Sequence, residues 1–271
     1  MRNILRYQTL GLTLMLVAVT SACAAPVIPT SSPPSPSPTK MPSVTSEPSN
    51  TPTERPTVTP APTITPTPPP EWVTNFAQPI LDAIANRPPD FEDNFDQRSN
   101  MWKLMHWCGE YRRQVVDGEM LLISCTTYVQ HAYTDFVVEV DAHFTPEIKV
   151  EENPNLGIRF RIRTDPYPPY PYIESYSCDI SAAGHISCSF NPEFDALLPE
   201  YPGIQTYHLL IIAKGSRFAF YLNGMPVTYF EDNIISQGYV GVETNCGSLL
   251  YTGKACAKFD NYELWDISDL P

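Results

Sequence analysis

Hydrophobic residues alternate with polar ones from Phe91 to the C-terminus, and this period of two limits the possible folds more than any other feature. Such alternation is typical of β-strands with one buried face and one face in water. Turn sequences separate the alternating runs: Asp117-Gly118, Ala183-Gly184, Asn223-Gly224 and Gln237-Gly238. About a dozen short strands, with no helical spacing after residue 90, predict an all-β fold, a two-sheet antiparallel sandwich over residues 91–271.

Two of these runs carry charged side chains on their polar face. In residues 135–144 that face carries Glu139, Asp141 and His143. In residues 155–163 it carries Arg159, Arg161 and Arg163. We expect the two runs to form a hairpin joined by the polar residues 145–154, so that the acids and the guanidinium groups share one sheet face.

This shared face is the predicted ligand site, because carboxylates and guanidinium groups offer the multidentate hydrogen bonding that sugar hydroxyls or carboxylates use. Tyr221 has the opposite parity from Phe218, Phe220 and Leu222 and adds a ring for stacking. The predicted ligand-binding residues are Glu139, Asp141, His143, Arg159, Arg161 and Tyr221. The alternative is that these charges pair with one another on an open surface and bind nothing.

The N-terminus has the order of an exported, lipid-anchored protein. Arg2 and Arg6 precede an apolar run over residues 10–19, which is too short to cross a bilayer. Thr20-Ser21-Ala22 then leads to Cys23. This order resembles a bacterial lipoprotein, with a signal peptide over residues 1–22 and a diacylglyceryl group on Cys23 that anchors the chain to a membrane. The alternative is an ordinary signal peptide, with Cys23 incidental.

A linker follows the anchor over residues 23–70. Residues 26–70 contain 16 prolines and 17 serines or threonines, and almost nothing that could be buried. Such a composition predicts a disordered, extended tether that lifts the domain off the membrane, at its cell-surface or periplasmic face. The threonine-proline run over residues 51–70 could be O-glycosylated or could be a bare linker.

Residues 71–90 have a different spacing from the rest of the chain. Ile80, Leu81, Ile84 and Ala85 recur at helical intervals, Pro79 stands near the first turn, and Pro88-Pro89 form a stop. We predict a short amphipathic helix whose apolar side, with Trp72 and Phe76, lies against the sandwich. The alternative is a helix that binds a partner.

Seven cysteines leave six when Cys23 is set aside, an even number for an exported domain. Each remaining pair flanks a turn, which predicts three disulfides: Cys108–Cys125, Cys178–Cys188 and Cys246–Cys256. The sequence has no CxxC motif and its histidines are scattered, so zinc is not expected. Calcium is the one metal considered, at Asp93, Asp96 and Asp260 where the terminal strands could meet, and the alternative there is turn capping.

The chain carries a formal charge of −13, and only four of its 17 basic residues precede residue 71. This charge argues against nucleic acid or an anionic membrane face as a partner. We expect a monomer. Tyrosines also punctuate a proline-rich loop, where they suit sugar stacking, protein contact or packing on the sandwich: Tyr167, Tyr170, Tyr172 and Tyr176.

A succession of strand and turn motifs runs through the domain. The motifs are Phe91–Phe95 followed by Trp102, then Asn155–Phe160, Tyr207–Gly215, Arg217–Gly224, Gly238–Val242 and Phe259–Leu264. Their order resembles the concanavalin A-like lectin/glucanase superfamily, in its laminin-G-like and 3-keto-disaccharide-hydrolase-like bacterial branches, over roughly residues 91–266. The resemblance implies a jelly-roll sandwich.

The resemblance says little about function, because one fold hosts many sites. We expect a membrane-anchored, non-catalytic module that binds glycan or a surface protein, with no cofactor. A glycoside hydrolase-like enzyme and a structural envelope module without a small ligand are the alternatives. Glu139-x-Asp141 resembles the strand motif of laminarinase-type hydrolases, but His143 or Phe144 stands where that motif has its third acid. No catalytic residue is therefore predicted.

Overall fold

Two antiparallel sheets packed face to face make up the domain in the computed structural model. It describes residues 68–146, 148, 153–164, 173–189, 195–197, 206–247 and 254–271. Within these residues the strands are β1 (Phe91–Asp93), β2 (Trp102–Leu104), β3 (Arg113–Val116), β4 (Glu119–Leu122), β5 (Thr126–Tyr133), β6 (Phe136–Phe144), β7 (Asn155–Thr164), β8 (Ile173–Ser181), β9 (His185–Cys188), β10 (Asp195–Leu197), β11 (Tyr207–Lys214), β12 (Arg217–Leu222), β13 (Met225–Glu231), β14 (Gly238–Asn245) and β15 (Ala257–Asp266).

Sheet A has the strand order β13-β12-β11-β6-β15-β4-β3, with β1 paired to β15. Sheet B has the order β10-β9-β8-β7-β14-β5-β2. Neighbouring strands in the order differ widely in sequence position, as β6 and β15 do, so most pairings are non-local. This arrangement confirms the predicted two-sheet antiparallel jelly-roll sandwich.

The core lies between the sheets and is built by the alternation that the sequence shows. On β6 the residues from Phe136 to Phe144 at even positions are all buried, and on β7 Leu156, Ile158 and Phe160 face them. Burying each such side chain stabilises the fold by about 1.5–3 kcal/mol. The odd positions of both strands therefore form the outer faces, where a site could be built.

A short helix lies on the outer face of sheet A. A π-helical turn (Val73–Ala77) continues into α1 (Gln78–Ile84), and Pro79 occupies its first turn. The buried side chains of this helix pack on Val137 and Trp265. The predicted packing of this segment against the sandwich is confirmed. No helix in the described residues is long and apolar enough to span a bilayer.

Three of the four predicted turns are present. Asp117-Gly118 and Asn223-Gly224 have positive φ at both residues, as a two-residue hairpin requires, and Gly184 has φ +82°. The fourth prediction is wrong, because Gly238 is the first residue of β14 and pairs with Tyr133. A Cβ on Gly238 would lie 2.3 Å from the backbone carbon of Arg161, so glycine is needed there for close strand contact.

The three predicted disulfides are confirmed. Cys178 and Cys188 are register partners on β8 and β9, with Cα atoms 4.1 Å apart. Cys108 lies in the segment after β2, and its bond to Cys125 fixes that segment beside the start of β5. Bonds of this kind form in oxidising compartments, which makes this an exported, extracytoplasmic protein.

The predicted hairpin of β6 and β7 is wrong. β6 pairs with β11 and β15 in sheet A, whereas β7 pairs with β8 and β14 in sheet B. The two strands face each other across the core instead of lying side by side. Alternation fixes which side of a strand is buried but not which strand is its neighbour, and residues 145–154 are numerous enough to cross between sheets about 10 Å apart.

Candidate functional site

The structure separates the six residues that were predicted to share one ligand-binding face. Glu139, Asp141 and His143 lie on the outer face of sheet A, and Arg159 lies on the outer face of sheet B. The prediction of a single face is therefore wrong. The two remaining residues, Arg161 and Tyr221, are both buried.

Arg161 is buried because β7 bulges at this position. Its backbone has φ +48°, and the register with β8 shifts between Phe160 and Arg163. The side chain turns inward, with its guanidinium carbon 4.6 Å from the ring centroid of Phe218. It donates hydrogen bonds to the carbonyl oxygens of Ile235, Thr134 and Gly215, at 2.7, 2.8 and 2.7 Å. Its role is structural, since it ties three loops to the end of the sandwich.

Tyr221 lies beneath the N-terminal helix. Its ring is 5.7 Å from that of Trp72 in an edge-on contact, and 6% of the residue is exposed. The alternation of β12 correctly predicted that Tyr221 lies on the outer face of sheet A. The helix, however, covers that end of the sheet. Tyr221 cannot stack on a sugar while the helix is in place.

The acids on sheet A are paired with their neighbours. His208, on β11, lies between Asp141 and Glu139, with nitrogen–oxygen distances of 2.9 and 3.5 Å. Hydrogen bonds to Glu139 and then Asp141 outweigh partial burial and raise the pKa of His208 to about 9. Burial and the charge of Glu139 also raise the pKa of Glu263. On this face the charged side chains pair with neighbouring side chains, as in the alternative in which they bind no ligand.

His143 also has a charged neighbour on sheet A. Its Nε2 is 3.5 Å from Glu119, which lies 2.6 Å from the Lys258 ammonium. These three side chains form a local network of mixed charge. The predicted site residue His143 therefore has no contact with Arg159 or Arg161, which belong to sheet B.

The calcium candidates are used for local hydrogen bonding. Asp93 accepts from the Phe95 backbone N–H and from the Trp102 indole N–H, both at 2.8 Å. Asp96 accepts from the Asn94 side chain at 2.7 Å, and Asp260 accepts from the Asn261 N–H. Among the described residues, no three His, Cys, Asp or Glu side chains are grouped as metal ligands. Calcium binding at Asp93, Asp96 and Asp260 stays a prediction. Asp93 caps the turn that follows β1, which is the alternative role.

A different polar cluster lies on the outer face of sheet B, and it is built around two glycines. In one row across the sheet, Gly157 stands between Glu243 and Asp179. A Cβ on Gly157 would lie 2.5 Å from Asp179 Oδ1, so the missing side chain is what lets that carboxyl group lie over β7. In the adjacent row Gly241 stands between Tyr128 and Arg159.

The Asp179 carboxyl group lies near that of Glu243, on the opposite side of Gly157 in the same row. Burial, followed by the charge of Glu243, raises the pKa of Asp179 well above its usual range. Asp179 Oδ1 is inaccessible to solvent and receives no N–H or hydroxyl hydrogen bond, while Ser177 donates to Oδ2 at 3.3 Å. These surroundings favour the protonated form of the Asp179 carboxyl group.

Arg159 fixes the charge of the other acid. Its Nη1 lies 2.9 Å from Glu243 Oε2, and its Nε donates to Ser175 Oγ at 2.8 Å. Thr126 donates to the same Glu243 oxygen at 3.2 Å. Arg159, Asp179 and Glu243, on the floor formed by the two glycines, are hereafter the carboxyl-pair site. It contains one predicted residue, Arg159.

Two tyrosines border this site. The rings of Tyr128 and Tyr239 are 4.8 Å apart and inclined by 33°, and both residues are half-buried. Burial and the neighbouring Tyr239 raise the pKa of Tyr128. Of the predicted tyrosine loop, Tyr167, Tyr170 and Tyr172 lie outside the described residues, and Tyr176 is buried in the core.

Asp179 and Glu243 were not predicted, although each leaves a trace in the sequence. Glu243 is the sole charged residue of β14, and Asp179 directly follows the inward-facing Cys178. A charged residue beside an inward-facing one indicates a position on the outer face of the strand. What the sequence lacked was the neighbour order β8-β7-β14, which brings the two acids together.

No family model and no curated protein matches this chain. Several solved structures are similar to it. The carbohydrate-binding module CBM66 from Bacillus subtilis is 18% identical over 62% of this chain and 98% of its own, with a TM-score of 0.42. A Bacillus subtilis protein of unknown function with a galectin-like fold is 11% identical over 66% and 96%, with a TM-score of 0.47. The Bacillus licheniformis beta-glucanase is 11% identical over 64% and 95%, with a TM-score of 0.42. These likenesses concern the fold and do not indicate what this chain binds.

Proposed function

We propose that this protein is an extracytoplasmic, non-catalytic carbohydrate-binding module whose ligand lies on the carboxyl-pair site. The observation that carries the proposal is the position of the Asp179 carboxyl group over Gly157, beside the Glu243–Arg159 ion pair, on a floor of two glycines. This combination presents donors and acceptors of hydrogen bonds within one small area. Adjacent sugar hydroxyls need that mixture, because each is both donor and acceptor.

The charge of the site favours a neutral sugar. Arg159 balances Glu243, and the raised pKa of Asp179 favours its uncharged form, so the site as a whole carries little net charge. A uronic acid or a sugar phosphate would meet Glu243 without an unpaired cation to offset it. The adjacent Tyr128 and Tyr239 add aromatic surface on which a neutral ring can pack.

The spacing of the two acids favours binding over hydrolysis. Retaining glycoside hydrolases hold their two carboxyl groups about 5–5.5 Å apart, and inverting enzymes hold them farther apart. The influence of Glu243 on the pKa of Asp179 is that of a directly adjacent carboxyl group, and such a pair would leave no room for a reacting carbon between them. Hydrolysis, binding of a surface protein and a purely structural envelope role remain the competing functions that the experiment below distinguishes.

The location belongs to the same proposal. The lipid on Cys23 would hold the module at a membrane, and residues 23–70 would let it reach polymers beyond the surface. Monomeric behaviour fits a binding site built within one chain. Both remain predictions.

A glycan array tests the proposed function. It is probed with the full chain and with a variant in which one acid of the site is replaced. Glu243→Gln leaves Arg159 without its counter-charge and should weaken binding of a neutral glycan about tenfold or more, since hydrogen bonds of charged groups contribute about 1.5–3 kcal/mol. Glu174→Gln is the control, because Glu174 pairs with Arg163 in an exposed position on the same sheet.

The outcomes of this experiment separate the functions. Binding lost in Glu243→Gln and kept in Glu174→Gln supports the proposal. Release of new reducing ends from a bound glycan would make the protein an enzyme and contradict the non-catalytic role. Equal binding by all variants would place the ligand elsewhere, and absence of any glycan binding would favour a protein partner or a structural module.

A further inference from the structure

Exposed aromatic and basic side chains are concentrated in residues 98–116, which adjoin the carboxyl-pair site where Lys103 on β2 is the register partner of Tyr128. Among the described residues, seven large hydrophobic side chains are exposed, and four of them belong to this stretch. They are Met101, Trp107, Tyr111 and Val116, with exposed fractions of 46%, 43%, 64% and 40%. Clusters of this kind on soluble proteins mark surfaces that bind a partner.

The two exposed rings are held on a rigid support. The disulfide Cys108–Cys125 attaches the segment to the start of β5, and Met105 donates its N–H to the Thr126 carbonyl at 3.1 Å. The Tyr111 ring lies so close over Gly109 that a Cβ there would be 2.5 Å from it. Residues 105–112, hereafter the Trp107 loop, therefore lose little further conformational freedom when a ligand binds.

The charge of this stretch differs from that of the rest of the chain. Residues 98–116 contain four basic side chains, Arg98, Lys103, Arg112 and Arg113, and one acidic side chain, Glu110, which forms an exposed ion pair with Arg98 at 2.8 Å. The whole chain carries −13. A local excess of positive charge on an acidic protein directs an anionic ligand to this surface and away from the others.

Arg112 is positioned to hold such a group. Its Nη1 donates to the Ser124 carbonyl at 3.0 Å and its Nε to the Tyr111 hydroxyl at 3.2 Å. No described residue accepts a hydrogen bond from its Nη2. The guanidinium carbon is 5.7 Å from the centroid of the Tyr111 ring, so an oriented cation lies beside an exposed ring.

We propose that the Trp107 loop, with Arg98 and Lys103, is a second binding surface that takes an anionic polysaccharide. Trp107 and Tyr111 pack on sugar faces, while the guanidinium and ammonium groups hold the carboxylate or phosphate groups of the same polymer. Exposed rings beside cations suit a sugar polymer that carries anionic groups. This surface adjoins the carboxyl-pair site at Lys103, the register partner of Tyr128, but it uses different side chains.

Affinity electrophoresis of the full chain tests the proposal. The gels contain polygalacturonate, a glycerol phosphate polymer, neutral pullulan or polyglutamate. We expect retardation by one or both anionic sugar-containing polymers, weakening as salt is raised. The combined variant Trp107→Ala and Tyr111→Ala should lose about tenfold or more in affinity. Ile234→Ala, which removes another exposed side chain, should behave as the parent.

Three results would overturn the proposal. Equal retardation of the parent and the double variant would show that the rings do not contact the polymer. Equal retardation by polyglutamate would show that charge alone is responsible, or that the partner is an acidic protein. Retardation by pullulan alone would show that the surface does not select anions. Circular dichroism of the variants checks their folding, which we expect to be unchanged because the replaced side chains are exposed.

Discussion

At the scale of single residues, identical amino acids on one strand have opposite roles. Arg159, Arg161 and Arg163 follow one another at a spacing of two on β7, yet Arg159 binds an acid on the outer face, Arg161 is buried, and Arg163 is exposed. The bulge at Arg161 breaks the alternation. One backbone torsion therefore decides whether a guanidinium group is structural or available to a ligand.

Replacing Arg161 should be far more costly than replacing Arg163. In Arg161→Met three carbonyl oxygens lose their donor and Asp135 loses a cation, so we expect a loss of about 3–5 kcal/mol in the free energy of unfolding. Arg163→Met removes an exposed ion pair and should change that free energy by about 0.5 kcal/mol or less. Urea unfolding of both variants measures the difference. Similar losses in the two variants would contradict the structural role of Arg161.

The pH dependence of stability should depend on His208. Its pKa is about 9 in the folded protein and near 6.5 when unfolded. A raised pKa contributes stability that is fully present below about pH 6.5 and is lost as the pH rises through about 9. We expect this loss in the parent and not in His208→Gln, as measured by urea midpoints across that range. His131→Gln should keep the parental profile, and a flat parental profile would contradict the pairing of His208 with the two acids.

At the scale of secondary structure elements, the helix is a cover for one half of sheet A. Phe76, Ile80 and Ile84 pack on side chains that an isolated sandwich would expose to water, including Val137 and Trp265. The other half of the same face, around His208, is polar and needs no cover. The apolar side of the helix therefore matches the apolar half of the outer face of sheet A, and each would be exposed to water without the other.

Phe76→Ala should weaken this cover. Removing a buried phenylalanine side chain costs about 3–5 kcal/mol where the site cannot collapse. Because the helix can also detach, we expect increased binding of a hydrophobic dye at temperatures where the sandwich is still folded. Gln78→Ala, an exposed change in the same helix, should have neither effect. If Phe76→Ala unfolds in a single step without prior dye binding, the helix and the sandwich form one cooperative unit.

Local features of this fold could be predicted from sequence, and non-local ones could not. The disulfides, the tight turns at Asp117 and Asn223 and the helix each depend on residues close together in the chain. The pairing of β6 with β11 and β15 depends on which buried faces fit the whole sandwich. The predicted site failed for this reason, since it assumed a neighbour for β6 that alternation does not specify.

At the scale of the whole molecule, each disulfide closes a short loop and stabilises one local region. The strand pairings between distant segments, such as β1 with β15, hold the sandwich closed by packing and hydrogen bonds alone. The N-terminal and C-terminal ends of the domain meet there. Arg87 pairs with Asp269 at 3.0 Å, and the Trp265 indole donates to the Arg87 carbonyl at 2.9 Å.

Membrane attachment should depend on Cys23 alone. Without the diacylglyceryl group no acyl chain holds the protein, so Cys23→Ser should move it from the membrane fraction to the soluble exported fraction. Fractionation and the mass of the N-terminal peptide measure this. The domain itself should fold as in the parent. A variant that still sediments with membranes, with a peptide of unchanged mass, would contradict lipidation.

The position of the helix determines how the domain would respond to mechanical force. A pull applied to the chain at residue 68 acts first on the helix, which is held by side-chain packing and not by a β-ladder. The strands behind it are held by hydrogen bonds in register, which resist extension more strongly than apolar contacts do. Under tension the helix would therefore detach first and uncover Val137, Tyr221 and Trp265, while both sheets stay paired. If the domain is tethered, tension would therefore expose an apolar surface before the sandwich unfolds.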